Sequence, residues 1–126
     1  MSKLCEILAI VRTNKMLATK KALEDIGLPS FTALKCFGRG RQGGRIEELT
    51  YPVSPEIAKK AEEAAYNFIP KRLIIAVVPE SMVKKVVETI IKVNQTGQHG
   101  DGKIFVLPVE NSMRVRTGEE GLEALF

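Results

Sequence analysis

The run Leu73-Ile74-Ile75-Ala76-Val77-Val78 is apolar at every position. Successive side chains on a strand point to opposite faces, so a strand with no polar member must be covered on both sides. This places the run inside a sheet, with helices over one face and other apolar material over the second. A helix follows at once. Pro79-Glu80-Ser81 opens a segment in which Val83, Val86, Val87, Ile90 and Ile91 keep the i, i+3, i+4, i+7, i+8 spacing of an amphipathic helix.

The first part of the chain repeats this plan. Residues 4–12 read as an aliphatic strand, and Asn14 is placed to cap a helix carrying Ala18, Ala22 and Ile26 on one face before Gly27 stops it. Leu28-Pro29-Ser30 makes a turn into a second strand, residues 31–37, with Thr32, Leu34 and Cys36 on one side and Phe31, Ala33, Lys35 and Phe37 on the other. After the second helix, a loop over 97–103 leads to a fourth strand, 104–109, and a short fifth is expected across 113–116. Strand, helix, strand, repeated, predicts an α+β, ferredoxin-like βαββαβ sandwich. The 126 residues are enough for one domain, 1–126, around one core. Two helices cover only one face of such a sheet. The other face is expected to meet the same face of another copy in a closed homo-oligomer.

Between the halves lies a stretch, residues 38–69, far longer than an ordinary connection. It opens with Gly38-Arg39-Gly40-Arg41-Gln42-Gly43-Gly44-Arg45 and changes character at Ser54-Pro55-Glu56, a good helix start. Ile57, Ala61, Ala65 and Phe68 follow at near-helical spacing, which predicts a helix over 55–67 whose thin apolar stripe needs a partner to hold it.

Composition removes several function classes. A charged fraction of 27% and an apolar fraction of 44% are those of a soluble globule. No apolar run approaches the ~18 residues of a membrane span. Glu6 interrupts the N-terminus too early for a secretory signal, so the expected location is cytoplasmic. Cys5 and Cys36 form no CxxC and have no histidine nearby, which favours reduced, packed thiols over a zinc site. A net charge of +4 suits an anionic ligand, but 6% aromatic residues are few for a nucleic-acid binder.

Gly97-x-x-x-x-Gly102-Lys103 nearly matches the phosphate loop of NTPases. The lysine is followed by Ile104 rather than Ser or Thr, and a helix precedes the loop while a strand follows it, the reverse of the NTPase order. An anion-binding turn remains open, as does a simple mobile turn. The Gly/Arg cluster at 38–45 could bind phosphate through amides and guanidinium forks, although by itself it reads rather as a solvated basic loop. Arg114 and Arg116, two apart on the expected fifth strand, would project to one side and could clamp a polyanion or simply face water. His99 is the only histidine and lacks a partnering nucleophile or carboxylate pattern. Glu47-Glu48 and Glu119-Glu120 read as solvated charges, and Tyr51 and Tyr66 say little alone. Nothing forms a nucleophile with its base, so no enzymatic activity is expected.

Together, "GRGRQGG", "FIPKR", "TGQHGDGKIFVLPVE" and "MRVRTGEEG" resemble the nitrogen-regulatory P-II signal-transduction family. The resemblance implies a ferredoxin-like homotrimer, or a trimer mixed with a paralogue, with nucleotide sites between subunits and a T-loop at about 38–70. It implies an ATP (or ADP) site using Gly38, Arg41 and Gln42, with Gly100, Asp101, Gly102 and Lys103 at the phosphates. Ile10, Thr32 and Val77 would surround the adenine, and Arg114 and Arg116 would come from the neighbouring subunit. It also implies Mg²⁺ held with the help of Gln42, and 2-oxoglutarate held by Gln42, Gly44, Lys71 and Gly100. The tyrosine usually uridylylated is matched by Ala64, and Gly43 stands where many members have lysine. With its longer T-loop, the chain is similar to the subgroup associated with nitrogenase genes in archaea and anaerobic bacteria. The partner this implies is dinitrogenase or another nitrogen-metabolism protein, with no nucleic acid and no direct membrane insertion. A P-II regulator of an ammonium transporter and a ferredoxin-like RNA-binding domain are the alternatives, and the second lacks the stacking aromatics its sheet would need.

Overall fold

The structure, a computed structural model, describes residues 3–28, 30–39 and 68–126. Strand β1, Leu4–Arg12, runs through a single 3-10 turn, Thr13–Lys15, into helix α1, Met16–Asp25; strand β2 is Thr32–Gly38. Strand β3, Ile69–Pro79, leads directly into helix α2, Glu80–Asn94, and β4 is Lys103–Val109. A second 3-10 turn, Gly121–Ala124, lies near the end. The strands form one antiparallel sheet in the order β2-β3-β1-β4, which is the expected ferredoxin-like topology.

The apolar run sits where its composition requires, at the centre of the sheet. Ile74, Ala76 and Val78 of β3 and Ile7, Ala9 and Val11 of β1 are buried beneath the helices with Leu23, Leu28, Val86 and Ile90. Ile74 and Ile90 are almost wholly enclosed, so truncating either to alanine should cost about 2–5 kcal/mol. The alternate residues, Leu73, Ile75 and Val77, turn to the other face beside Ile10, Leu8 and Glu6, and that face is only half covered in the single chain. On the edge strands it carries Leu34 and Phe105, both well exposed.

Three details differ from expectation. In α1 the buried positions are Thr19 and Leu23, with Met16 and Ile26 packed beside them, while Ala18 is exposed. The reason is a polar chain between the helices: Asn94 Nδ2 donates to Thr19 Oγ1 at 3.0 Å, and that hydroxyl donates to the Lys15 carbonyl at 2.7 Å. Asn14 lies in the 3-10 turn, and α1 has no side-chain cap. The fifth strand across 113–116 does not form. Met113 makes one isolated bridge to Glu120, and Gly118 N closes a turn onto the Arg114 carbonyl at 2.7 Å, leaving Val115 fully exposed. The expected helix over 55–67 lies outside the described residues, as do Tyr51, Ala64, Tyr66, Glu47 and Glu48.

Candidate functional site

At one end of the open sheet face is a cleft of about 560 Å³. Its floor comes from Ile10 of β1 and Ile69 and Lys71 of β3, with Gly38 and Arg39 at the end of β2. The loop before β4 supplies the opposite wall through His99, Gly100, Gly102 and Lys103, and Phe105 closes the side. Register sets Lys71 of the floor beside a second cation, Arg12, which lies behind the lining. Lys71 pairs with Arg12 on one flank and Cys36 on the other, so all three side chains project to the same face.

Both cations are largely buried, Lys71 at 7% and Arg12 at 9% exposure, and both grip the loop. Lys71 Nζ donates to the Gly100 carbonyl at 2.6 Å. An Arg12 guanidinium nitrogen donates to the His99 carbonyl at 3.0 Å and lies 3.4 Å from Asp101 Oδ1. Asp101 in turn gathers the first half of the loop: Oδ2 accepts from the Thr96 and Gly97 amides at 2.7 and 2.9 Å, and Oδ1 from the Thr96 hydroxyl. Burial pushes the Asp101 carboxyl up, but the Thr96 hydroxyl, the two amides and Arg12 outweigh it and hold the group at about 2. The acid is therefore an ionised brace at any physiological pH. Burial raises the Cys36 thiol, with Lys71 and Arg72 offsetting part of the effect.

The loop bends at three glycines with positive φ: Gly97 at 86°, Gly100 at 99° and Gly102 at 114°. Gly102 is confined twice over, since a Cβ there would lie 1.9 Å from the Ile10 carbonyl oxygen of β1. Backbone can pass that close to another strand only without a side chain. Gly38 is different, because a Cβ would meet only Lys71 Cγ at an ordinary 3.7 Å. The arrangement offers glycine-rich backbone, Lys71, Lys103 and Arg39 beside the apolar side chains of Ile10, Ile69 and Phe105, which suits an anion that also carries an apolar part. Among the described residues no cluster of His, Cys, Asp or Glu could hold a metal ion.

The family model "Nitrogen regulatory protein P-II" matches residues 4–119. The chain belongs to the P-II family. A "Nitrogen fixation nifHD region GlnB-like protein 2" of Methanobacterium ivanovii is 48% identical over 121 residues, covering 96% of this chain and 98% of its own. The nitrogen regulatory protein P-II of Bradyrhizobium diazoefficiens is 36% identical over 120 residues, covering 95% and 98%. Among solved structures, Arabidopsis thaliana PII bound to citrate superposes with a TM-score of 0.73 at 35% identity, covering 98% of this chain and 92% of that one. P-II proteins are regulatory signal transducers, and the likeness to proteins of nitrogen-fixation regions extends over essentially the whole chain.

Of the residues expected at the P-II ligand site, the fold brings Ile10, Gly38, Lys71, Gly100, Gly102 and Lys103 into one cleft. Asp101 stands behind the loop as its brace. Val77 and Thr32 lie on the same open face, beyond the lining. Arg41, Gln42 and Gly44 lie outside the described residues. Arg114 and Arg116 do not line this cleft in the single chain, and they sit at a turn rather than on a strand. Arg114 pairs with Glu119 at 2.8 Å and donates to the backbone oxygens of Glu123 and Phe126, so Glu119 is engaged rather than simply solvated. Sequence reasoning missed Arg12 and Asn94, whose roles arise from contacts made 87 and 75 residues away.

Proposed function

We propose that this P-II protein is a non-enzymatic, cytoplasmic sensor of nitrogen status, built as a single domain that closes into a homotrimer. It binds ATP or ADP and 2-oxoglutarate at the cleft and signals to its target through residues 38–70. The observation that carries the reading is the glycine loop wrapped around a buried lysine: Lys71, Lys103 and Arg39 supply cationic charge, while Ile10 and Phe105 supply apolar surface. Lys71 Nζ is held at the cleft wall by the Gly100 carbonyl, and an ammonium has three N–H donors, so a point charge in that place suits a carboxylate ligand in the cleft. The Arabidopsis relative was solved with citrate, itself a polycarboxylate, which supports that class of effector. Magnesium, when bound, would be held with the help of Gln42, whose side chain has a neutral oxygen, and would supply positive charge for an anionic ligand. The half-covered face of Leu73, Ile75, Val77 and Leu34 supports the trimer, because apolar surface of that kind is stable once another copy covers it. Arg114 and Arg116 would then reach the cleft of a neighbouring subunit.

The names of the methanogen relatives tie them to nitrogen-fixation regions and support repression of nitrogenase, through binding of dinitrogenase, as the output. Purified dinitrogenase should co-elute with the protein in a manner that responds to ATP and 2-oxoglutarate. Replacing residues 49–64 with a short Gly/Ser linker should abolish that co-elution while leaving the trimer and its ATP binding intact. Co-elution that survives the replacement would remove the T-loop as the output element. No co-elution under any effector condition would remove dinitrogenase as the target.

A further inference from the structure

Arg12 and Asp101 brace the glycine loop from behind. A trans peptide is planar, with its C=O and N–H pointing in opposite directions, and no cis peptide is found among the described residues. Arg12 holds the His99 carbonyl at 3.0 Å from behind the loop and is not itself part of the cleft lining, whereas His99 and Gly100 are. Fixing that carbonyl toward Arg12 aims the next amide, Gly100 N–H, away from Arg12 and toward the cleft. Lys71 holds the next carbonyl, Gly100 O, at 2.6 Å, and Asp101, 3.4 Å from the same Arg12 nitrogen, ties the start of the loop through the Thr96 and Gly97 amides. We infer that Arg12 is a positioning residue which, through the His99 carbonyl and with Asp101 bracing the loop, pre-orients the Gly100 amide as a hydrogen-bond donor to an anionic ligand in the cleft. The inference rests on the nucleotide and carboxylate reading of that cleft. Glycine at 100, with φ at 99°, would otherwise sample many orientations, and pre-orientation removes the ordering cost from ligand binding.

Two measurements on the full-length protein test it. In the ligand-free protein, amide hydrogen exchange and NMR relaxation should show Gly97 protected and Gly100 ordered in the wild type, and both loosened in Arg12→Gln and in Asp101→Asn. By calorimetry with Mg²⁺-ATP, Arg12→Gln should bind about tenfold more weakly than wild type. Arg12→Lys should recover part of that loss, because an ammonium can still reach the His99 carbonyl but cannot also serve Asp101. Oligomeric state and melting temperature are followed alongside, and Asp101→Asn tests the same strut should Arg12→Gln fail to fold. A variant with an unloosened loop and wild-type ATP affinity overturns the inference. A wild-type protein that binds no ATP overturns the nucleotide reading, and the ligand-free measurement still decides whether Arg12 sets the loop.

Discussion

Gly102→Ala and Gly97→Ala make a matched pair, because both sites have positive φ and only one is sterically closed. At Gly97, φ 86°, an added Cβ meets nothing within 4 Å, so alanine adds backbone strain alone, about 1–2 kcal/mol. At Gly102, φ 114°, the Cβ would lie 1.9 Å from the Ile10 carbonyl oxygen and 3.0 Å from its carbon. Both obstructing atoms are backbone of β1, which cannot swing aside as a side chain would. Relief requires β4 to retreat by roughly an ångström at the Ile10–Lys103 pair, which weakens one or two ladder bonds worth about 0.5–1.5 kcal/mol each. The strain common to both sites adds to this, giving about 3 kcal/mol or more for Gly102→Ala. For a domain of this size each kcal/mol moves the melting temperature by roughly 3–5 °C. Calorimetric melts at matched protein concentration should therefore place Gly97→Ala a few degrees below wild type and Gly102→Ala some ten degrees or more below it. Equal melting temperatures for the two variants would refute the close approach of the loop to β1.

Asp101 is held at about 2 in the folded protein against an ordinary 3.8, so its contribution to stability is complete above about pH 4 and is lost as pH falls toward 2. Acid titrations should show Asp101→Asn less stable than wild type at neutral pH, with the difference shrinking between pH 4 and 2; a constant difference across that range contradicts the brace. Arg114→Ala should weaken ATP binding about tenfold and also free the last turn, which Arg114 anchors, to proteolysis. Arg116→Ala should weaken ATP binding to a similar degree with no change in proteolysis. ATP affinity unchanged in both would mean that neither arginine reaches a phosphate.

The parts of the fold that could be read from sequence are those where one local property dominates. The six apolar residues from Leu73 could only be a central strand, and the spacing from Val83 to Ile90 could only be a helix covering one face. The buried face of α1 was misassigned because Thr19 looks like a surface residue until Asn94 and the Lys15 carbonyl complete its hydrogen bonds. The turn at 115–117 was misread as a strand because alternating arginines mimic strand periodicity; Gly118, which closes the turn, was the signal to weigh. The glycines and Lys71 of the cleft could be seen through family resemblance, because the motifs that carry the resemblance contain them. Arg12 could not, because one arginine at the end of a strand carries no local pattern. Its importance depends on the register that sets it beside Lys71 and on a loop distant in sequence.

A cleft that integrates nucleotide and 2-oxoglutarate, as proposed above, will reveal the coupling in calorimetry of the wild-type protein. 2-Oxoglutarate titrated into protein saturated with ATP and Mg²⁺ should bind far more tightly than into protein without them. Binding coupling is reciprocal, so ATP affinity should rise by the same factor when 2-oxoglutarate is present. Affinity for 2-oxoglutarate that is the same with and without ATP and Mg²⁺ would mean that the cleft does not couple the two ligands.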